Sequence, residues 1–189
     1  MAGSSTDRAF YFDLSSPEAW LASERVLQVV PQPCEWVPVS MPFDPAFRCA
    51  EEVASYQEDL ARRAAALELP ALRWPEPFPF DSDFAQRAAT YLKGGGKTVG
   101  FALAAFRQAF NGGKALSVEE HVLIAAAAVE THPRALLVGA ATAGTRRRLE
   151  QATQTARNRG ITTTPALWDA DHGVLQAEAA LQALTQPGS

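Results

Sequence analysis

A serine followed by a proline stands where the first apolar stretch of the chain ends. Residues 10–14 are short, apolar and rich in aromatic side chains, a pattern that predicts a buried strand. Ser16, Pro17 and Glu18 then supply an N-cap serine, a proline at the first helical position and an acid in the first turn, which together predict a helix start. Such a helix presents free backbone N–H groups and the positive end of its dipole. Ser16 is therefore a candidate catalytic residue, whose hydroxyl could donate to a thiolate that the dipole also stabilises.

Two features of this segment, which we call the serine corner (residues 16–18), leave its chemistry open. Ser16 could cap the helix and have no other role, because serine is a common N-cap residue. Glu18 bears on the same question, since an ionised carboxylate in the first helical turn would repel a thiolate. We expect either that Glu18 points to solvent or that the serine corner binds no thiolate.

The cysteine and histidine residues are isolated from one another in the sequence. Cys34 and Cys49 have no spacing typical of a metal site or a redox pair. His121, His132 and His172 are scattered, and each fits a solvated or packed residue better than a base or a metal ligand. The sequence predicts no metal site. Two isolated cysteines and no apolar export signal indicate a cytoplasmic protein.

Length and charge exclude several classes of function. The chain has 189 residues, 47% of them hydrophobic, which is enough for one sizeable core or for one domain that carries an insertion. The formal net charge is −4, from 17 basic and 21 acidic residues, so charge gives no argument for binding nucleic acid or a membrane surface. No apolar stretch is long enough to span a bilayer. We expect neither a nucleic-acid partner nor a membrane partner.

The elements that would position the serine corner begin with a βαβ unit. The pattern predicts a strand over 9–14, a helix over 17–30 and a second strand over 34–41 that runs parallel to the first. Pro38 lies inside the second strand and favours an edge position or a bulge, because proline has no N–H to donate to a neighbouring strand.

The next hundred residues, 46–144, are rich in alanine and almost entirely helical in pattern. Asp81 or Ser82 is predicted to cap one of these helices, and Ser117 with Glu120 forms a predicted capping box for another. A loop in this block alternates prolines with aromatic residues. Its side chains either line a substrate cleft or pack the block onto the sheet; they are Arg73, Trp74, Phe78 and Phe80.

The β pattern returns towards the carboxyl end. A strand leads into a hairpin turn over 169–173, a short partner strand over 174–176 and a last helix over 177–184. The predicted order is therefore β-α-β, a helical block, then β-β-α. This is an α/β fold in which residues 1–45 and 145–189 form one domain and the helical block is an inserted all-α subdomain.

Ser16-Pro17-Glu18-Ala19 resembles the active-site corner of the DsbA-like branch of thioredoxin folds, where a strand leads into a helix through Cys-Pro-x-Cys. Both cysteine positions are replaced here, which excludes dithiol exchange at this corner. Ser-Pro in this place is similar to the 2-hydroxychromene-2-carboxylate isomerases and the kappa-class glutathione transferases. In both, the serine hydroxyl is thought to face the sulfur of bound glutathione. The resemblance implies a thioredoxin-like fold.

The resemblance also implies further binding residues. Thr164-Pro165 stands where these folds place a cis-proline, and a cis bond would leave the Thr164 backbone groups free to align a peptide-like ligand. Glu178 stands near where relatives hold the γ-glutamyl end of glutathione, and it would meet the ligand's amine. The alternatives are an ordinary loop proline and an acid that only complements a helix dipole. The implied cofactor is glutathione or another low-molecular-weight thiol, bound by Ser16, Pro17, Thr164, Pro165 and Glu178.

Three functional hypotheses follow. The first is a thiol-dependent isomerase or glutathione transferase that acts on a small apolar or aromatic substrate and, like many relatives, could form a homodimer. The second is a degenerate, non-catalytic thioredoxin-like binding protein, in which Ser16 only caps the helix and the corner is closed. The third is a thiol–disulfide oxidoreductase, which would need Cys34 or Cys49 at the serine corner.

Overall fold

The computed structural model describes residues 7–185, without the side chains of residues 177, 178 and 185. Four strands form one mixed sheet in the order β2-β1-β3-β4. The strands are β1 (Arg8–Phe12), β2 (Glu35–Pro38), β3 (Ala166–Asp169) and β4 (Gly173–Gln176).

The first βαβ unit has the predicted topology. Helix α1 (Pro17–Val29) connects β1 to β2, and the two strands run parallel, with Phe12 opposite Pro38. Pro38 lies on an edge strand, as its missing N–H predicts. Both strands are shorter than expected, because β1 ends at Phe12 and β2 ends at Pro38. On its other side β1 pairs antiparallel with β3.

Residues 7–185 contain seven further helices, and their order confirms a helical block between the β-α-β and β-β-α segments. They are α2 (Ala50–Ala66), α3 (Asp83–Lys93), α4 (Thr98–Phe110), α5 (Glu119–Ala127), α6 (Pro133–Ala141), α7 (Ala143–Asn158) and α8 (Ala177–Thr185). The predicted α/β fold with an all-α insertion is therefore correct.

The main hydrophobic core joins the sheet to the helical block. Phe10 and Phe12 of β1 lie on one face of the sheet, where both rings contact Trp36 of β2. The ring of Phe106 from α4 lies 6.0 Å from that of Phe12. Burying each of these side chains contributes on the order of 2 kcal/mol. The strand that ends at the serine corner is thus held by aromatic packing against both β2 and α4.

One of the two predicted helix caps is confirmed in its position and the other is wrong. Asp81 Oδ1 accepts a hydrogen bond at 2.9 Å from the N–H of Asp83, the first residue of α3. Ser82 occupies the N-cap position of α3, but its side chain makes no cap hydrogen bond to that helix. Its hydroxyl donates instead to Asp13 Oδ1 at 2.7 Å. Helix α5 begins at Glu119, with Val118 in the cap position, so Ser117 and Glu120 form no capping box. The turn before α5, closed by the bond from Val118 N–H to the Ala115 carbonyl, moves the helix start beyond Ser117.

Within residues 7–185, no helix is both long and apolar enough to cross a membrane. The same part of the chain contains no group of three or more His, Cys, Asp or Glu side chains arranged to hold a metal ion.

Candidate functional site

The serine corner forms where β1 ends and α1 begins. Ser16 is in the extended conformation typical of an N-cap residue, and the N–H of Ala19 donates to its Oγ at 3.1 Å. Pro17 occupies the first helical position. The predicted helix start is therefore confirmed, and the Ser16 hydroxyl lies at the positive end of the α1 dipole.

Ser16 also contacts the loop that precedes β3. Its Oγ lies 3.2 Å from the carbonyl oxygen of Thr164, to which it can donate, across a separation of 148 residues. The Thr164–Pro165 bond is cis. The fold thus brings together the four predicted residues Ser16, Pro17, Thr164 and Pro165. It differs from the expectation in one respect, since the Thr164 carbonyl has Ser16 as a partner and is not free for a ligand.

Glu18 turns inward, which excludes the first of the two alternatives, that it points to solvent. For an ionised Glu18 the second alternative remains, that the serine corner binds no thiolate. Its carboxylate accepts a hydrogen bond from the Tyr56 hydroxyl at 2.7 Å and lies 3.4 Å from Ser16 Oγ. Burial raises the pKa of Glu18, while the Tyr56 hydrogen bond and the charge of Arg63 act in the opposite direction. Burial and the Glu18 charge raise the pKa of Tyr56. A protonated Glu18 would not repel a thiolate, whereas an ionised Glu18 would.

An aromatic cluster is built around Tyr56, the partner of Glu18. Its rings are in contact, with centroids 4.6 to 6.0 Å apart, and all of its members are half-buried. The cluster therefore presents ring surface to solvent beside the corner. Its members are Phe43, Phe47, Tyr56, Trp74 and Phe78.

Only part of the proline-rich loop joins this cluster. Trp74 and Phe78 belong to it and also pack against the main core, so they do not distinguish the cleft interpretation from the packing interpretation. Phe80 is buried in the main core, 6.2 Å from the ring of Phe110, which fits the packing interpretation. Arg73 is exposed, and its backbone N–H donates to the Phe110 carbonyl at 2.7 Å.

A buried carboxylate, that of Asp13, lies directly after β1, three residues before Ser16. It is fully buried and accepts four hydrogen bonds, from Ser15 N–H at 3.0 Å, Ser15 Oγ at 2.8 Å, Ser82 Oγ at 2.7 Å and Met41 N–H at 2.9 Å. Burial raises the pKa of Asp13, and these hydrogen bonds oppose that effect. Ser15 Oγ in turn accepts from Phe43 N–H at 2.8 Å. This network ties the end of β1 to α3 and to the aromatic cluster.

Neither the Asp13 network nor the Glu18–Tyr56 pair was predicted. Tyr56 was visible only as an apolar position of a predicted helix, and no spacing in the sequence pairs it with Glu18. Glu178 is the remaining predicted site residue. Helix α8 begins at Ala177, but the side chain of Glu178 lies outside the described part of the structure.

Cys34 does not supply a thiol at this corner. Cys34 immediately precedes β2, whose first residue lies opposite Ala9, so it sits at the other end of β1 from Ser16. Burial raises the pKa of the Cys34 thiol to about 11, which keeps it protonated at neutral pH. Cys49 is exposed and precedes α2. The oxidoreductase hypothesis required a cysteine at the corner, and Cys34 does not meet that requirement.

Several solved structures share this fold. A 2-hydroxychromene-2-carboxylate isomerase aligns with a TM-score of 0.77 at 18% identity, over 89% of this chain and 87% of that one. A probable DsbA oxidoreductase from Streptomyces coelicolor aligns with a TM-score of 0.73 at 19% identity, over 95% and 88% of the two chains. The cytosolic disulfide reductase DsbM from Pseudomonas aeruginosa gives 0.67 at 12% identity, over 95% and 92%. At these identities the likeness shows the thioredoxin-like fold.

The family is shown by the sequence itself. The search of curated proteins gives no match to this chain. Residues 9–183, which include both halves of the sheet and the helical block between them, match the model of the DSBA-like thioredoxin domain. The chain therefore belongs to the DSBA-like thioredoxin domain family.

Proposed function

We propose that this chain is a thiol-dependent isomerase or transferase of the DsbA-like family that lacks the dithiol. It would bind glutathione or another low-molecular-weight thiol at the serine corner and act on a small apolar or aromatic substrate. One observation carries the proposal: Ser16 Oγ lies at the start of α1 and 3.2 Å from the carbonyl of Thr164, beside Pro165. The Ser16 hydroxyl, the positive end of the α1 dipole and the backbone of Thr164 therefore lie close together.

These groups fit a thiol ligand by their chemistry. When bound, the thiol would supply a nucleophilic sulfur that adds to an electrophilic substrate. Ser16 would turn its hydroxyl from Thr164 towards the sulfur, and the α1 dipole would favour the anion. Glu18, which lies 3.4 Å from Ser16 Oγ, would take the proton that leaves the thiol. Once protonated it would no longer oppose a neighbouring negative charge. Thr164, Pro165 and Glu178 would align the rest of the ligand.

The aromatic cluster supports an apolar or aromatic substrate. Its five rings are half-buried and lie beside Glu18 through Tyr56, so a flat apolar molecule would pack on them next to the sulfur position. The Asp13 network would hold this arrangement rigid, because Ser15 Oγ binds Phe43 N–H.

A specific observation favours a second candidate, a non-catalytic thioredoxin-like binding protein. Ser16 is only 1% exposed, and its hydroxyl already caps Ala19 N–H and faces the Thr164 carbonyl. That is the closed corner which this hypothesis predicts. An enzyme at this site would have to open the corner when it binds its thiol.

Calorimetric titration with glutathione, and then with other cellular thiols, distinguishes the two candidates. We expect wild type to bind and Ser16→Ala to bind roughly tenfold more weakly, the loss of about one hydrogen bond. Ser23→Ala is the matched control, because Ser23 is also a buried serine of α1 and its hydroxyl donates to the Trp20 carbonyl at 2.7 Å. Thermal melts of all three proteins measure the stability that is lost with the Ser16 N-cap. This loss of stability can then be distinguished from a direct loss of thiol binding. No heat with any thiol would reject the enzyme and leave the binding protein.

We also propose a cytoplasmic location and a small-molecule substrate, with a homodimer as the assembly that the family resemblance suggests. Two free cysteines support a reducing compartment. Cell fractionation tests the location, and light scattering of the purified protein tests the homodimer.

A further inference from the structure

A cavity of about 900 Å³ lies apart from the serine corner. It opens where the end of α3 meets the start of α6 and the middle of α7, and Pro38 of the edge strand β2 forms part of its wall. None of the predicted site residues lines it. Its volume lies within the range of roughly 300 to 1,000 Å³ that is typical of small-molecule sites.

The inner wall of this cavity is largely apolar. Leu92, Ala135 and Ala152 contribute aliphatic surface, and Tyr91 contributes an aromatic ring. The Tyr91 ring packs so closely on Gly139 that a Cβ atom built there would lie 2.2 Å from it. The ring can lie in this position only because residue 139 is a glycine. The wall is therefore a defined surface built by two helices in contact.

Cationic side chains surround this apolar wall. Lys93 is already paired with Glu35 of β2 at 2.7 Å. Lys97 donates to the backbone carbonyl of Glu130 at 3.2 Å, and Arg148 donates to Thr145 Oγ1 at 3.0 Å. Within residues 7–185, neither Lys97 nor Arg148 has a carboxylate partner. Two positive charges thus stand beside the cavity without neutralisation by an acid.

One carboxylate, that of Glu130, also lines the cavity. It does not cancel the positive field, because the two cations without a carboxylate partner, Lys97 and Arg148, outnumber it. Groups that attract a negative charge and groups that favour an apolar body are therefore combined in one cavity that is open to solvent.

We propose that this cavity binds a small organic carboxylate with an apolar body. The carboxylate would pair with Lys97 and Arg148, and the apolar part would lie against Tyr91, Ala135 and Ala152. The proposal does not rest on thiol chemistry at Ser16. It holds equally for an enzyme with a second ligand and for a protein whose function is binding alone.

Calorimetric titration with decanoate, compared with neutral decanol, tests the site on the full chain. We expect decanoate to bind roughly tenfold more tightly than decanol, because only decanoate can pair with the two cations. The double variant Lys97→Gln/Arg148→Gln should lose that preference, whereas Lys114→Gln should keep it, since Lys114 is exposed and does not line the cavity.

Ala135→Trp provides a test that leaves both cations in place. Ala135 is an exposed residue of α6 that lines the cavity, so an indole there fills the space of the apolar body without removing a buried contact. We expect this variant to melt like wild type and to bind decanoate at least roughly tenfold more weakly. Wild type that does not bind decanoate, equal binding of decanoate and decanol, or full affinity in Ala135→Trp would each overturn the proposal.

Discussion

Tyr56→Phe removes one hydroxyl and leaves the ring in the aromatic cluster. That hydroxyl donates to the Glu18 carboxylate at 2.7 Å, in a part-buried environment. A hydrogen bond to a charged group contributes about 1.5 to 3 kcal/mol to stability. Because Glu18 retains some contact with solvent, we expect a loss near the lower half of that range, about 2 kcal/mol at neutral pH. Urea denaturation at equilibrium measures this loss directly.

The stability lost in Tyr56→Phe should depend on pH. The environment of Glu18 determines whether that loss grows or shrinks as the pH rises. Burial raises the pKa of Glu18 in the folded state above its value in the unfolded chain. Glu18 therefore stabilises the fold most at pH values below its unfolded pKa, and it stabilises less as the pH rises through the folded pKa. Tyr56 opposes the pKa rise, so its removal steepens this decline. In acid, where Glu18 is protonated, the loss should fall to about 1 kcal/mol, the contribution of a neutral hydrogen bond.

Tyr91→Phe is the matched control for this experiment. Tyr91 is another half-buried tyrosine, and within residues 7–185 its hydroxyl makes no hydrogen bond. We expect its removal to change stability by less than about 0.5 kcal/mol at any pH. The reasoning is refuted if the two variants unfold at the same urea concentration at neutral pH, or if the Tyr56→Phe loss is independent of pH.

Two further substitutions test the framework around the site. Ser82→Ala removes a hydrogen bond to the buried Asp13 and should cost about 2 kcal/mol in urea denaturation, whereas a loss below about 0.5 kcal/mol would show that Asp13 does not need it. Gly139→Ala should cost about 1 to 3 kcal/mol, because the new Cβ atom displaces the Tyr91 ring. Gly144→Ala, whose Cβ would meet nothing closer than 3.8 Å, should leave the melting temperature unchanged or higher. Equal melting temperatures for the two alanine variants would contradict the packing argument.

Local signals in the sequence predicted the helices and strands, and they predicted the part of the site formed by Ser16 and Pro17. Ser16 and Pro17 mark the start of α1 because capping and proline geometry act within one helical turn. Pro38 predicted an edge strand for the same kind of local reason. The meeting of Ser16 with Thr164 was expected only through the family resemblance, since 148 residues separate them.

The remaining contacts depend on how the helices pack. Ser82 looked like a helix cap, but the fold places it against Asp13, 69 residues earlier, where a buried carboxylate competes successfully for its hydroxyl. From the sequence, Glu18 was expected either to point to solvent or to prevent thiolate binding. In the fold its partner is Tyr56, 38 residues later. Hydrophobic periodicity assigns such residues to one face of a helix, but it does not identify the element against which that face packs.

The claim that the serine corner holds a thiolate is tested most directly by the ultraviolet absorbance of glutathione thiolate, followed against pH with the protein in excess. The account predicts that the bound thiol ionises at lower pH than free glutathione. It also predicts that Ser16→Ala raises the bound thiol's pKa by about one unit, equivalent to one hydrogen bond of about 1.4 kcal/mol. A titration identical to that of free glutathione in the presence of wild-type protein would contradict the claim, and it would identify Ser16 as the helix cap of a binding protein.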